Sequence, residues 1–290
     1  MLRRLTNSRV SSKVSSLLPS RDFMSLTPRR LLHPIPPLVL EPVSSFQRHA
    51  GASTQGRVAT GFRVSDRAAW SSSSADDGRT KLRIAVDVDE VLGRFVYTLN
   101  QFCRDKYGME YDVKDYWIYE YAKIWKCSQD KSNEIVHEFF KSPHFSNGIP
   151  TIPGALETLT RLGESNDLVV VTSRQHVIQD ATLEWIDRHY PGVFQEVYFG
   201  NHFALEGVSR KKSEICRSIG AGVLIDDNPS YALECAEEGM PVLLYDWKDE
   251  YPWSKLPPGK SHPLITVVQD WAEVELEIRK LTLQTNKSSQ

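Results

Sequence analysis

Residues 82–92 read LRIAVDVDEVL: a short β-branched run that leads directly into two aspartates, Asp87 and Asp89. The same design returns twice. Residues 168–174 read LVVVTSR and residues 223–229 read VLIDDNP, each an apolar run closed by polar side chains. A fourth run, VLLY, spans 242–245. Between the runs the apolar spacing becomes helical. Phe95, Leu99, Phe102 and Cys103 share one side of 94–107, and Leu156, Leu159 and Leu162 one face of a helix predicted over 153–162 behind a Pro-Gly turn. Further helices are predicted over 178–189, 209–219, 230–238 and 270–281, and a short strand over 196–199. Strands that alternate with helices imply βαβ units on a mostly parallel sheet. The runs VVV, VLI and VLLY lack polar alternation, as strands covered on both faces do. The fold class is therefore α/β, with a three-layer α/β/α core. Ligands of such sheets bind at the carboxyl ends of the strands, so the residues just after each run are the first to consider for chemistry.

Residues 96–152 interrupt the alternation. They carry helical patterns but no strand, and thirteen aromatics fall between Phe95 and Phe145. A small helical cap inserted after the first strand is expected there.

The strand ends supply Asp87 and Asp89, then Thr172, Ser173 and Arg174, then Asp226 and Asp227. Carboxylates brought together repel and raise each other's pKa, and a cation is the simplest remedy. An all-oxygen site with few protein ligands suits Mg²⁺, which keeps several waters and commonly engages one or two carboxylates with a substrate phosphate. Lys211 and Lys212, ahead of the Asp226 strand, offer the balancing ammonium. A lone acid at a strand end is commonly a turn former or helix cap. Three polar motifs at successive strand ends, with a lysine between the second and third, are harder to ascribe to turns.

The chain carries 35 Lys+Arg against 37 Asp+Glu. Residues 1–80 hold 12 of the basic and 5 of the acidic side chains, a net of +7, which leaves 23 and 32, a net of −9, for residues 81–290. The acidic part argues against specific nucleic-acid binding, which needs a basic surface. Residues 1–60 are rich in Arg, Ser and Pro and hold only Asp22 and Glu41 as acids, and 71–80 read SSSSADDGRT. Residues 1–80 are expected to be a disordered transit peptide and linker, with mitochondrion favoured over chloroplast and cytosol as the alternative to an organelle address. The folded domain is expected over 81–285 and a short disordered tail over 286–290. No stretch reaches the roughly 18 apolar residues of a membrane span. Cys103, Cys127, Cys216 and Cys235 form no CxxC pair and no zinc spacing.

The order Asp87-x-Asp89-x-Val91, Thr172-Ser173-Arg174, Lys212, Asp226-Asp227 resembles the four motifs of the haloacid dehalogenase superfamily of phosphohydrolases, and DVDEVLGRF, VVTSRQ, KKSEIC and LIDDNP are most similar to its 5'(3')-deoxyribonucleotidase-like branch. The resemblance spans about residues 82–250 and implies a Rossmann-like core. It implies Asp87 as the nucleophile that forms an aspartyl-phosphate and Asp89 as general acid and base. Thr172 would bind a phosphoryl oxygen and Lys212, a better fit than Lys211, would neutralise charge. Mg²⁺ would be held by Asp87, Asp226, Asp227 and the backbone carbonyl of Asp89. Ser173 and Arg174 are candidates to touch phosphate or substrate, although Arg174 could equally form a surface ion pair. One departure stands out: that branch typically has Gly where this chain has Glu90.

The cap aromatics could stack on a base or simply build the cap's core; Phe95 and Trp117 are the substrate-binding candidates. His137 and His144 are read as packing or surface residues, and 246–253 (DWKDEYPW), which follows the last core strand and could line the mouth, as turn packing first. The expected function is Mg²⁺-dependent hydrolysis of a small phosphorylated substrate, a nucleoside monophosphate first. A sugar phosphate, or a catalytically silent binding module, are the alternatives. A homodimer is the assembly allowed for.

Overall fold

The computed structural model describes residues 62–63, 81–202 and 208–288. In chain order the elements are β1 (Phe62–Arg63), β2 (Arg83–Val86), α1 (Phe95–Tyr107), α2 (Tyr121–Ile124), α3 (Gln129–Phe140), α4 (Pro143–Gly148), α5 (Ala155–Gly163), β3 (Asp167–Thr172), α6 (Gln179–His189), β4 (Glu196–Phe199), α7 (Lys212–Ser218), β5 (Val223–Asp226), α8 (Pro229–Glu237), β6 (Val242–Tyr245), β7 (Ile265–Val268) and α9 (Trp271–Ser288). They form one sheet in the order β1-β4-β3-β2-β5-β6-β7. All neighbours pair in parallel except β1, which runs antiparallel on β4.

The sheet is apolar on both faces because alternate strand residues feed two separate cores. Ile84, Val86, Leu168, Val170, Val223 and Ile225 belong to one. Ala85, Val169, Val171 and Leu224 belong to the other, with Ile215 and Cys216 of α7 and Ala232 and Cys235 of α8. The first core is continuous with α5, α6, α9 and the helices of 95–148. From β2 in the middle the chain winds outward through β3 and β4, then returns to β5 on the other side. The gap between β2 and β5 is thus the topological switch point, where α/β sheets open a crevice.

The cap leaves and rejoins the sheet through a paired stem. Gly93 bridges Thr151, Arg94 N–H donates to the Pro150 carbonyl and Ile152 N–H to that of Leu92. Buried aromatic donors also reach the stem's carbonyls: Tyr190 hydroxyl on Leu92 at 2.8 Å, Trp185 indole on Ile149 at 3.0 Å and Trp271 indole on Val91 at 3.3 Å. Gly93 lets the stem close tightly, since a Cβ would sit 3.0 Å from the Ile149 and Trp185 side chains and they would have to shift to admit it.

Two strands have no counterpart in the sequence reading. β7 (ITVV) is an edge strand whose Thr266 and Val267 are exposed, so it lacks the continuous apolar run that marks the inner strands. β1 lies within the segment expected as transit peptide and linker; the rest of residues 1–80 lies outside the described residues, and with it the organelle address. α9 runs past the expected Leu281 to Ser288, into the stretch expected as a tail. Among the described residues no helix is long and apolar enough to cross a membrane.

Candidate active site

Asp87 follows β2 directly, and its N–H continues the ladder by donating to the Ile225 carbonyl at 3.0 Å. Asp226 closes β5 next door, and its Oδ1 accepts the Asn228 N–H at 2.9 Å, which turns the chain into α8. Asp227 is the next residue. These three carboxylates each bring one oxygen within 4.8 Å of the others, and all three are buried. Lys212, the first residue of α7 and fully buried, reaches in from behind. Its Nζ lies 2.5 Å from Asp226 Oδ2 and 3.0 Å from Asp87 Oδ2. Lys211 is the extended residue before the helix and is exposed, so of the two lysines it is Lys212 that contacts the carboxylates.

Three carboxylates around one ammonium leave a formal excess of two negative charges. Burial pushes the Asp87 carboxyl up to about 7, with Lys212 opposing and Asp226 and Asp89 adding to the rise. Asp227 is driven well above the ordinary carboxylate range by burial, then by Asp226 and Asp87. Burial would lower Lys212, but the two facing carboxylates outweigh it and hold the ammonium charged. Among the described residues, the buried Asp87 Oδ1 has no hydrogen-bond partner. An oxygen-only cluster with two uncompensated charges and an unused carboxylate oxygen fits a hard divalent cation.

Asp89 reaches the site by a different route from the one strand alternation suggests. β2 ends at Val86, and residues 88–93 form a tight turn in which Leu92 and Gly93 N–H both donate to the Val88 carbonyl. Glu90 sits in that turn at φ 60, a left-handed conformation that favours glycine. Its side chain is buried, with Oε1 accepting the Val96 N–H at 2.6 Å in the first turn of α1. Burial pushes its carboxyl up to about 7.

Arg174 is not a surface residue. Its side chain is 2% exposed and forks onto Asp89, with Nη2 2.7 Å from Oδ1 and Nε 3.2 Å from both oxygens, while Nη1 donates to Thr182. Thr172 is fully buried, its hydroxyl accepting the Arg174 N–H at 3.2 Å.

Above this floor lies a cavity of about 540 Å³ between sheet and cap. Asp87, Asp89, Asp227, Ser173 and Arg174 line its base; Thr172, Asp226 and Lys212 lie beneath the lining. Phe95 lines it, together with Tyr119, Tyr121 and Phe140. Trp117 does not: it is 63% exposed, because it follows a short 3₁₀ turn that directs Tyr116 inward and Trp117 out. Tyr116 instead donates to Asn100 at 2.6 Å and accepts from Trp125 at 2.9 Å within the cap's core. His137 lines the cavity rather than packing elsewhere, whereas His144 pairs with Asp105 on the surface. Gln129, Asn133, Val136, His137 and Phe140 line it as one stripe of α3, a helical spacing visible in the sequence. His202 and Tyr231, joined by a 2.7 Å hydrogen bond, were not singled out by any motif. Nor was Trp253, whose indole N–H donates to Asp227 Oδ2 at 2.7 Å.

A family described as "5' nucleotidase, deoxy (Pyrimidine), cytosolic type C protein" matches residues 81–236. YqfW of Bacillus subtilis, whose name marks it as a candidate nucleotidase, is 25% identical over 204 residues, 66% of this chain and 91% of that protein. A nucleotidase of Clostridium acetobutylicum is 22% identical over 166 residues, 57% of this chain and 81% of its own length. Among solved structures, a haloacid dehalogenase-like hydrolase of Streptococcus pneumoniae superposes with a TM-score of 0.51 at 12% identity, over 68% of this chain and 98% of that one. At that identity the likeness shows the fold alone.

Proposed function

The chain belongs to the cytosolic type C family of deoxy-pyrimidine 5'-nucleotidases, within the haloacid dehalogenase-like hydrolases, and from that premise we propose that it is a Mg²⁺-dependent phosphatase of nucleoside monophosphates. One observation carries the reading: Asp87, Asp226 and Asp227 converge beside Lys212 at the base of an aromatic-lined cavity. Asp87, Asp226 and Asp227, with the Asp89 backbone carbonyl, would hold the cation. When bound, it supplies positive charge against the phosphate oxygens.

The residues of the chain divide the work as follows. An Asp87 oxygen attacks phosphorus as the bond to the nucleoside oxygen breaks, and Asp89 gives that oxygen its proton. Asp89, now ionised, takes a proton from the water that attacks phosphorus, the bond to Asp87 breaks, and free phosphate leaves. Lys212 holds Asp87 in place and carries positive charge beneath the transferring group. Ser173 borders the phosphate side of the cavity, while Thr172 orients the Arg174 backbone. Both Asp89 oxygens engage Arg174, so that fork has to loosen for Asp89 to transfer a proton.

The nucleoside half of the reading rests on Phe95, Tyr119, Tyr121 and Phe140, which line the cavity and would pack against a base. The polar members of the α3 stripe, Gln129 and Asn133, would equally suit sugar hydroxyls. Assays of purified protein with Mg²⁺ against nucleoside monophosphates, sugar phosphates and an aryl phosphate separate these readings. Nucleoside monophosphates are expected to turn over best. Turnover of sugar phosphates alone would move the substrate class, and no turnover of any would sink the hydrolase reading.

A further inference from the structure

Trp253 lies in the 246–254 segment that links β6 to the chain leading into β7, far in sequence from every motif above. It is buried, and its indole N–H is, among the described residues, the hydrogen-bond donor to the Asp227 carboxylate, at 2.7 Å on Oδ2. The indole cannot swing away. Its ring stacks on Tyr251 at 4.6 Å with the planes 16° apart, and Tyr119 of the cap meets it edge-on at 5.8 Å. The segment itself is pinned. Asp246 Oδ1 accepts the Tyr251 N–H at 3.0 Å, the Ser254 hydroxyl donates to the Tyr245 carbonyl at 3.0 Å, and Lys255 pairs with Asp246 and Asp249.

We infer that Trp253 is a positioning residue for the cation: by occupying Asp227 Oδ2 it presents Oδ1 to the Asp87–Asp226–Asp227 cluster and fixes the rotation of that carboxylate. An unheld carboxylate has two equivalent oxygens and a broad side-chain torsion, so it loses orientational freedom when it binds a metal. A rigid donor from behind removes that loss beforehand, and groups that play this part elsewhere are worth about 10- to 100-fold in metal affinity. Indole is suited to the position. It donates one hydrogen bond, accepts none, and adds no charge to a cluster whose balance the cation must complete.

The inference rests on the hydrolase reading only for the identity of the cation, and its test uses binding rather than turnover. Mg²⁺ is titrated calorimetrically into the full chain and into W253F, which keeps an aromatic ring and removes the N–H. The Kd is expected to rise about 10-fold in W253F, while the thermal midpoint in EDTA stays near that of the unaltered protein and only the Mg²⁺-induced increase shrinks. If W253F does not fold, W253M, which fills the site with an apolar side chain and carries no N–H, is expected to bind Mg²⁺ more weakly than the unaltered chain and to keep the same EDTA midpoint. An unchanged Kd in the folded variant overturns the inference. Failure of the unaltered chain to bind Mg²⁺ overturns the hydrolase reading and the inference together, so the two failures are told apart by which protein is silent.

Discussion

The base and the roof of the cavity are built by opposite means. At the base, Asp87 and Asp226 are fixed by the sheet: one continues the ladder and the other ends it, and a buried lysine spans both. In the roof, Phe95 and Phe140 are fixed by packing, within a cluster in which Phe139 and Phe145 meet them at centroid distances of 5.2–6.2 Å. Backbone hydrogen bonding places charge to a fraction of an ångström and tolerates little change. Aromatic packing places surfaces loosely and can be re-cut one ring at a time. Chemistry is therefore expected to depend on the base in an all-or-none way, and substrate choice on the roof by degrees.

The largest test strikes the base. D87N is expected to lower turnover by on the order of 10⁴-fold or more, as loss of a nucleophile does. The same variant is expected to melt higher than the unaltered protein in EDTA, since it removes one charge from a buried cluster with an excess of two. A variant that lost activity by unfolding would melt lower, and calorimetry distinguishes them. Next comes the cation. At a Mg²⁺ concentration about 100 times its Kd the protein should gain about 2.7 kcal/mol over EDTA, and D87N should gain much less; equal gains would place the cation elsewhere. The roof predicts smaller, graded effects. F140L should raise KM for nucleoside monophosphates by about 10-fold, the low end of what a base stacked on a ring is worth, and leave glycerol phosphate turnover nearly unchanged. A uniform loss on both substrates would break the division of labour.

The smallest effect belongs to neither region. Glu275 on α9 sits between Arg161 and Arg279, with Arg161 Nη2 2.5 Å and Arg279 Nη2 2.6 Å from its oxygens, and these partners hold its carboxyl down at about 2. A depressed carboxyl stabilises the fold fully above its ordinary value near 4.5, and the contribution is lost as the pH falls through about 2. E275Q should cost less than about 1 kcal/mol at pH 7, as such partly exposed pairs do, and the cost should shrink as the pH drops toward 2. A cost that ignores pH would show that packing, not charge, is what Glu275 supplies.

The base was legible in the sequence and the roof mostly was not. DVDEV, TSR and DDNP each lie within a few residues of a recognisable strand, so local pattern suffices to place them at the sheet's edge. Even so, Asp89 arrives by a turn rather than by strand alternation, because Glu90 takes a left-handed conformation that no periodicity announces. The α3 stripe is visible as helical spacing, yet a stripe that lines a cavity and one that packs a core look the same from one sequence. Phe95 and Trp117 had equal standing as aromatic residues, and only the 3₁₀ turn at 113–115 separates the outward Trp117 from the inward Tyr116. Arg174 read equally as a substrate contact or a surface ion pair because its partner, Asp89, is 85 residues away. The role of Trp253 depends on the β6 connection folding back over Asp227, a juxtaposition that leaves no local mark.

The stem that joins cap to sheet carries one more consequence. Because residues 92–94 and 150–152 are hydrogen-bonded neighbours, the chain departs from the sheet and returns to it at almost the same point. An excursion closed at its root adds little entropy for each further residue, so its length and content can drift while the strands on either side keep their register. Such a junction makes the cap an exchangeable part: evolution, or an engineer, could replace residues 95–148 with another excursion, or with a short turn, and alter which molecules are admitted without redrawing the frame that performs the reaction.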